Sequence, residues 1–178
     1  MFGNAWTGSS SSTSTLLGDC CLGMVDVSGK PDVVREAVAK GVIRLKSGTV
    51  SLIRKGKVEK GDPVCAARVA ATFAAKNTSG LVPFCHPLPL RSVQVKVECV
   101  SDGCVEVRCF VKTRAQTGVE MEALTGVAVG LLTVWDMVKQ YEKDAKGQYP
   151  STIIEDVRVV SKVKGDMMSE RKRKKAQV

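Results

Sequence analysis

One stretch limits the folds open to this chain more than any other: Thr117 to Glu142, TGVEMEALTGVAVGLLTVWDMVKQYE. Gly118 ends the segment before it, and Glu120 and Glu122 place negative charge in the first turn of a helix, where the macrodipole favours it. The run from Ala123 to Trp135 carries no charged side chain. It is too apolar for a solvent-facing helix and too short for a membrane span. Charge returns at Asp136, Lys139, Glu142 and Lys143. The expectation is a helix buried for most of its length, with acids at its entrance and an acid–base pair at its exit.

Asp136 and Lys139 are three residues apart and so share one helix face. Two readings of that pair stand side by side. One is a surface ion pair near a helix end. The other is a carboxylate and an amine whose protonation is shifted by an apolar wall and by each other, as acid–base chemistry requires.

The chain has 178 residues, enough for one domain with a core of its own. Only 4% of them are aromatic against 44% hydrophobic, so Val, Ala, Leu and Met must build that core. No apolar run reaches membrane length, and the N-terminus lacks a signal-peptide pattern, so the expected location is cytoplasmic. Net charge is +9, but Arg171, Lys172, Arg173, Lys174 and Lys175 carry much of it in a tail. The mildly basic remainder suits a phosphate-bearing ligand, and the tail suits either weak nucleic-acid contact or a solvated end. Seven Cys without C-x-x-C spacing and a single His offer no metal-ligand pattern. Cys99 and Cys104 flank Ser-Asp-Gly and have the spacing to face each other across a hairpin, though in a reducing compartment they read as small hydrophobes.

Residues 1–23 are rich in Ser, Thr and Gly and read as a flexible leader. Asp32 to Lys40 accommodates a short helix. From Glu36 to Leu45, however, Glu36, Val38, Lys40, Val42 and Arg44 alternate with Ala37, Ala39, Gly41, Ile43 and Leu45, the period of a strand with one covered face. The strand is the reading adopted. Ser47 to Lys55 follows a Ser-capped helical pattern. Asp62 and Pro63 are the N-cap and first residue of an Ala-rich helix to Lys76, which Asn77 to Gly80 ends. In LVPFCHPLPL, Pro83, Pro87 and Pro89 forbid a helix and stiffen a loop that carries Cys85 and His86. That His is either an ordinary hydrogen-bonding residue or a positioned functional group. Val93–Val100 and Val105–Lys112 alternate about Ser101-Asp102-Gly103 as an antiparallel hairpin, and Ile153–Val163 is a last β-branched strand. Strand, helices, strand, strand, helix, strand fits an α+β fold of the ferredoxin-like type, an antiparallel sheet with helices on one face.

Laid out in this way, MVDVSGK (Met24–Lys30), KGD (Lys60–Asp62), LVPFCHPL (Leu81–Leu88), TGVEMEALT (Thr117–Thr125) and WDMVK (Trp135–Lys139) resemble the cyclic pyranopterin monophosphate synthase family. The resemblance covers residues 24–166 and leaves out the leader and the basic tail, 167–178. It implies the second enzyme of molybdenum cofactor biosynthesis, a lyase. Its substrate would be 3′,8-cyclo-7,8-dihydro-GTP, rearranged to a tricyclic pyranopterin with a cyclic phosphate and release of pyrophosphate. No metal or organic cofactor is implied. By the same resemblance Asp136 and Lys139 are the central acid–base pair, and Lys60 is a further catalytic or phosphate-binding lysine. Phe84, Cys85, His86, Met121 and Glu122 match substrate-holding positions with Glu120 beside them. Lys162 and Lys164 are available to phosphate oxygens, a role that suits lysines at a leaving pyrophosphate.

Two positions depart from the family pattern. Ser161-Lys162-Val163-Lys164-Gly165 stands where a K-S-G-G-K loop is usual, and Gln116 stands where a Lys commonly precedes TGVEMEA. The altered loop keeps open a catalytically impaired paralogue with a scaffold role. An RNA-binding module is the remaining alternative, but the hairpin strands carry only Phe110 for base stacking. The partners expected are therefore a nucleotide-derived small molecule and other copies of the chain, not a membrane or a nucleic acid. Glu122 and Asp136 are fourteen residues apart, about 21 Å along one helix. The expectation, shared by the resemblance, is a homohexamer (a trimer of dimers) with sites at subunit interfaces.

Overall fold

In the computed structural model, which describes residues 22–165, alternation decides the first element. Strand β1 (Val33–Arg44) buries Ala37, Ala39 and Ile43 and turns Glu36, Lys40 and Arg44 to the other face. A helix over Asp32–Lys40 would have wrapped charged and apolar side chains round one cylinder; the strand separates them. The leader to residue 21, with Cys20 and Cys21, and the tail from residue 166 lie outside the described residues.

Helix α1 (Ser47–Arg54) follows, then α2 (Pro63–Lys76), the single turn α3 (Thr78–Leu81), the hairpin β2 (Ser92–Ser101) and β3 (Cys104–Ala115), the long helix α4 (Glu120–Glu142) and β4 (Ile153–Gly165). The sheet order is β2-β3-β1-β4 with antiparallel neighbours throughout. This is the ferredoxin-like arrangement, with α2 and α4 packed together and α4 lying on β1 and β3.

Three local expectations are corrected. Ser47 is not a cap: Lys46 holds the N-cap position of α1 without a side-chain bond, and its own N–H donates to both Glu142 carboxylate oxygens at 3.1 Å. Cys99 pairs with Val105 and Cys104 with Ser101, because a register shift between Cys99 and Ser101 offsets the two strands, so the thiols do not meet. Finally, α4 does reach the length and hydropathy of a membrane span once its polar ends are counted. Its contacts identify it as the core helix. Ala123, Val127, Leu131, Val134 and Val138 are at most 1% exposed, and each fully buried Val or Leu is worth about 1.5–3 kcal/mol.

α4 approaches α2 closely because Gly126 and Gly130 face Ala67, Ala71 and Ala75. A Cβ on Gly126 would lie 2.9 Å from Cys109 Sγ and 3.1 Å from the Ala71 carbonyl oxygen. Burial also pushes the Cys109 thiol up to about 12, so it packs as an inert small side chain. The far face of the sheet carries ion pairs: Lys40 with Glu106 and Asp156, Arg108 with Glu106, and Glu36 with Lys112.

Candidate active site

The residues singled out in the sequence gather at the two ends of α4. At the C-terminal end, Asp136 accepts from Lys139 Nζ at 2.7 Å and from Lys60 Nζ at 3.1 Å. Lys60 Nζ also donates to the Asp136 carbonyl oxygen at 3.0 Å. Lys60 comes from the turn before α2, which Asp62 starts by accepting from the N–H groups of Val64 and Cys65 at 2.8 and 3.2 Å. Of the two readings of the Asp136–Lys139 pair, the surface ion pair near a helix end is the one the geometry shows, and the apolar wall of the other is missing. Asp136 is exposed and has no apolar cover, but it is shared by two lysines. Their hydrogen bonds and charges, Lys139 first, hold the Asp136 carboxyl below the ordinary aspartate range. The same bond raises Lys139. The cluster therefore rests as one carboxylate between two ammonium groups. Trp135 packs edge-on against Tyr149 beside it, with ring centroids 5.8 Å apart.

The N-terminal end of α4 is built differently. A cavity of about 370 Å³ is lined by Val25, Val27, Lys30, Phe84, Cys85, His86, Leu88, Thr117, Gly118, Met121 and Glu122. The stiff proline-flanked loop presents Phe84 and Met121 lies opposite, 48% and 42% exposed. His86 donates from Nε2 to the Val25 carbonyl oxygen at 2.9 Å, tying this loop to the segment before β1. Burial, then the neighbouring Glu122 carboxylate, pushes the Cys85 thiol up, so it lines the cavity as a thiol and not as a nucleophile. Glu122 is only 4% exposed, and its Oε2 is the one buried side-chain polar atom among the described residues without a hydrogen-bond partner. Burial raises Glu122 above the ordinary glutamate range; the helix-start N–H opposes this and Glu120 adds to it.

On the other side of Gly118 lies a smaller cavity of about 230 Å³ lined by Arg35, Glu36, Glu120, Lys162, Val163 and Lys164. Lys162 pairs with Glu120 at 3.0 Å. Burial works to raise Glu120, but the helix-start N–H, Lys162 and Arg35 outweigh it and hold the carboxyl low. A side chain at Gly118 would displace this carboxylate, since a Cβ there would lie 1.8 Å from Glu120 Oε2. Arg35 was not singled out in the sequence. It donates to the Gln116 carbonyl oxygen at 2.9 Å and so shapes the turn into α4. Its place in the alternating β1 segment next to Glu36 was the only available signal.

The structure thus brings Lys60, Asp136 and Lys139 together, and separately Phe84, Cys85, His86, Met121 and Glu122 with Glu120, Lys162 and Lys164 next door. It does not join the two groups within one chain, because the body of α4 lies between them. A larger cleft, about 780 Å³, runs between α2 and β2 past Arg68, Val69 and Phe73 and contains none of these residues. Among the described residues no group of three or more His, Cys, Asp or Glu is placed to hold a metal ion.

Comparison with known proteins follows the same residues. Residues 24–165 match the model of the MoaC family. A "Probable cyclic pyranopterin monophosphate synthase" of Methanoregula boonei is 56% identical over 142 residues, covering 80% of this chain and 91% of that protein. Proteins of the same description are 55% identical over 143 residues in Thermococcus kodakarensis (80% and 91% covered), and 52% over 141 in Sulfolobus acidocaldarius (79% and 98%).

Proposed function

The chain belongs to the MoaC family, and on that premise we propose how its residues divide the work of cyclic pyranopterin monophosphate synthesis. It is a lyase of molybdenum cofactor biosynthesis. The substrate is 3′,8-cyclo-7,8-dihydro-GTP. Its fused ring enters the cavity between Phe84 and Met121, where the unpartnered Oε2 of Glu122 accepts N–H groups from the ring edge. Lys162 and Lys164, with Arg35 above them, meet phosphate oxygens.

The reacting centre is the Lys60–Asp136–Lys139 cluster. Ring rearrangement requires protons to leave one atom and arrive at another. Asp136, held as a carboxylate, accepts them, and the charged Lys139 and Lys60 donate. Closure of the cyclic phosphate forms a bond from a sugar-derived hydroxyl oxygen to the α-phosphorus and breaks the bond from that phosphorus to the bridging oxygen. The hydroxyl proton passes to a base and pyrophosphate departs with the bridging oxygen and its electron pair. Two ammonium groups beside one carboxylate leave the cluster net positive, which favours that departure.

The observation that carries this reading is the convergence of two lysines from distant segments on one exposed carboxylate. The ring cavity and the cluster lie at opposite ends of α4, so a single site needs the Glu122 end of one copy beside the Asp136 end of another. Two antiparallel copies of α4 about a two-fold axis satisfy this, within a trimer of dimers. Leu132, 57% exposed, is available on the outer side of α4 for that contact. The test is incubation of the purified protein with the cyclised nucleotide, with product oxidised to a fluorescent pterin and pyrophosphate measured alongside. Equal amounts of both support the reading; substrate recovered unchanged overturns it.

A further inference from the structure

Lys60 stands at the tip of a turn and is held by more than its bond to Asp136. Val58 fills a core position at 6% exposure, and Gly61 closes the turn by donating to the Val58 carbonyl oxygen at 3.0 Å. Gly56 and Gly61, with φ of 62° and 102°, take the left-handed turns on either side of this tip. Two groups from the last turn of α4 hold it. The N–H of Glu59 donates to the Tyr141 hydroxyl oxygen at 3.0 Å, and Gln140 Nε2 donates to Glu59 Oε2 at 3.0 Å.

That last turn is itself fixed. Glu142 is fully buried and accepts from the Lys46 N–H and from Thr152 Oγ1, the latter at 2.7 Å. Lys46 Nζ donates to the carbonyl oxygens of Tyr141 and Lys143 at 3.1 and 2.9 Å, groups that a helix end leaves without partners. Asp136 and Lys139 lie just before this turn on the same helix. A single rigid element therefore carries the acid, one lysine and the groups that hold the loop of the other lysine.

We propose that Gln140 and Tyr141 are positioning residues that latch Glu59 and so set the Lys60 ammonium against Asp136. The inference rests on the reading of Lys60 as a reacting group. Neither latch residue lines the ring cavity or the cavity at Lys162 and Lys164. Their contribution is to remove the freedom of an exposed turn before the reaction begins, so that Lys60 need not be ordered at each turnover.

Tyr141→Phe keeps a ring packed against the core and removes only the acceptor of the Glu59 N–H. Its kcat is expected to fall about tenfold with KM within about twofold, since a small misplacement of a reacting group is felt in the chemical step. Hydrogen exchange should rise in residues 57–62 and stay unchanged in α4, and the melting temperature should hold. Gln140→Ala should give a smaller loss of kcat in the same pattern. An unchanged kcat overturns the latch. So does a variant in which melting temperature and α4 protection fall together with activity, because the hydroxyl is then merely structural. If the wild-type protein does not convert the cyclised nucleotide, the functional reading fails, and exchange in residues 57–62 of Tyr141→Phe still decides the latch: a rise supports it and no change overturns it.

Discussion

The two ends of α4 each present a carboxylate to a predicted site, and their surroundings are opposite. Asp136 is exposed, and Lys139 and Lys60 hold it in the charged form. Glu122 is buried, its Oε2 has no partner, and burial favours its neutral form. An unpaired buried polar atom costs about 1–3 kcal/mol. The protein tolerates that cost at the end where a ring edge with N–H donors would relieve it. At the other end no such cost is stored, because the Asp136 carboxylate already has both lysines as partners before any ligand arrives. In the proposed site, binding and chemistry are assigned to two carboxylates on one helix that differ in burial and neighbours.

The largest effect that would sharpen this contrast is at the charged end. Asp136→Asn, Lys139→Ala and Lys60→Ala should each lower kcat by about 10²–10⁴-fold with an unchanged circular dichroism spectrum. A variant that folds and keeps full turnover removes that residue from the mechanism. At the buried end Glu122→Gln should weaken kcat/KM by about tenfold or more, because its amide N–H₂ opposes a donor on the ligand. Stability should move the other way. The folded-state pKa of Glu122 is raised, so its contribution is fully present below the ordinary glutamate value of 4.5 and is lost as pH rises through the folded-state value. The melting temperature of Glu122→Gln should therefore exceed that of the wild type near neutral pH, and the gap should close in acid. A gap independent of pH would show that Glu122 is not strained in the free protein.

Between the two ends, Gly126→Ala should destabilise by about 1–3 kcal/mol through overpacking, read as a lower denaturant midpoint, while kcat at 25 °C holds. A selective loss of turnover would mean that helix spacing, and not only the end groups, tunes the site. The smallest effect belongs to Lys162→Ala. Its pair with Glu120 is at the surface, so stability should change by no more than about 1 kcal/mol, and KM should rise a few-fold with kcat intact.

Much of this contrast was visible in the chain. The alternation through β1, the Asp62–Pro63 start of α2 and the apolar run of α4 are local signals, and each element forms as its pattern predicts. The features that escaped depend on contacts far apart in sequence. The carboxylate that holds Lys46, the N-cap of α1, comes from Glu142, 96 residues away, and Glu59 meets Tyr141 at a separation of 82. Arg35 enters the site only because β1 is central and runs beside both β3 and β4. For Asp136 the sequence showed a neighbouring lysine but not the second one. An apolar wall would raise its pKa; two ammonium groups in open solvent lower it. Lys162 and Lys164 stand on β4, which runs to Gly165, where the family pattern has a glycine-rich loop.

If one site is assembled from the Glu122 end of one copy and the Asp136 end of another, two inactive variants should complement each other. Glu122→Ala and Asp136→Ala, each inactive alone, are unfolded together, refolded and assayed with the cyclised nucleotide, with mixed oligomers verified by mass. Random pairing gives mixed dimers with one intact site each, so about a quarter of wild-type activity should return. Mixed oligomers that remain inactive would place the whole site within a single chain and contradict that assembly.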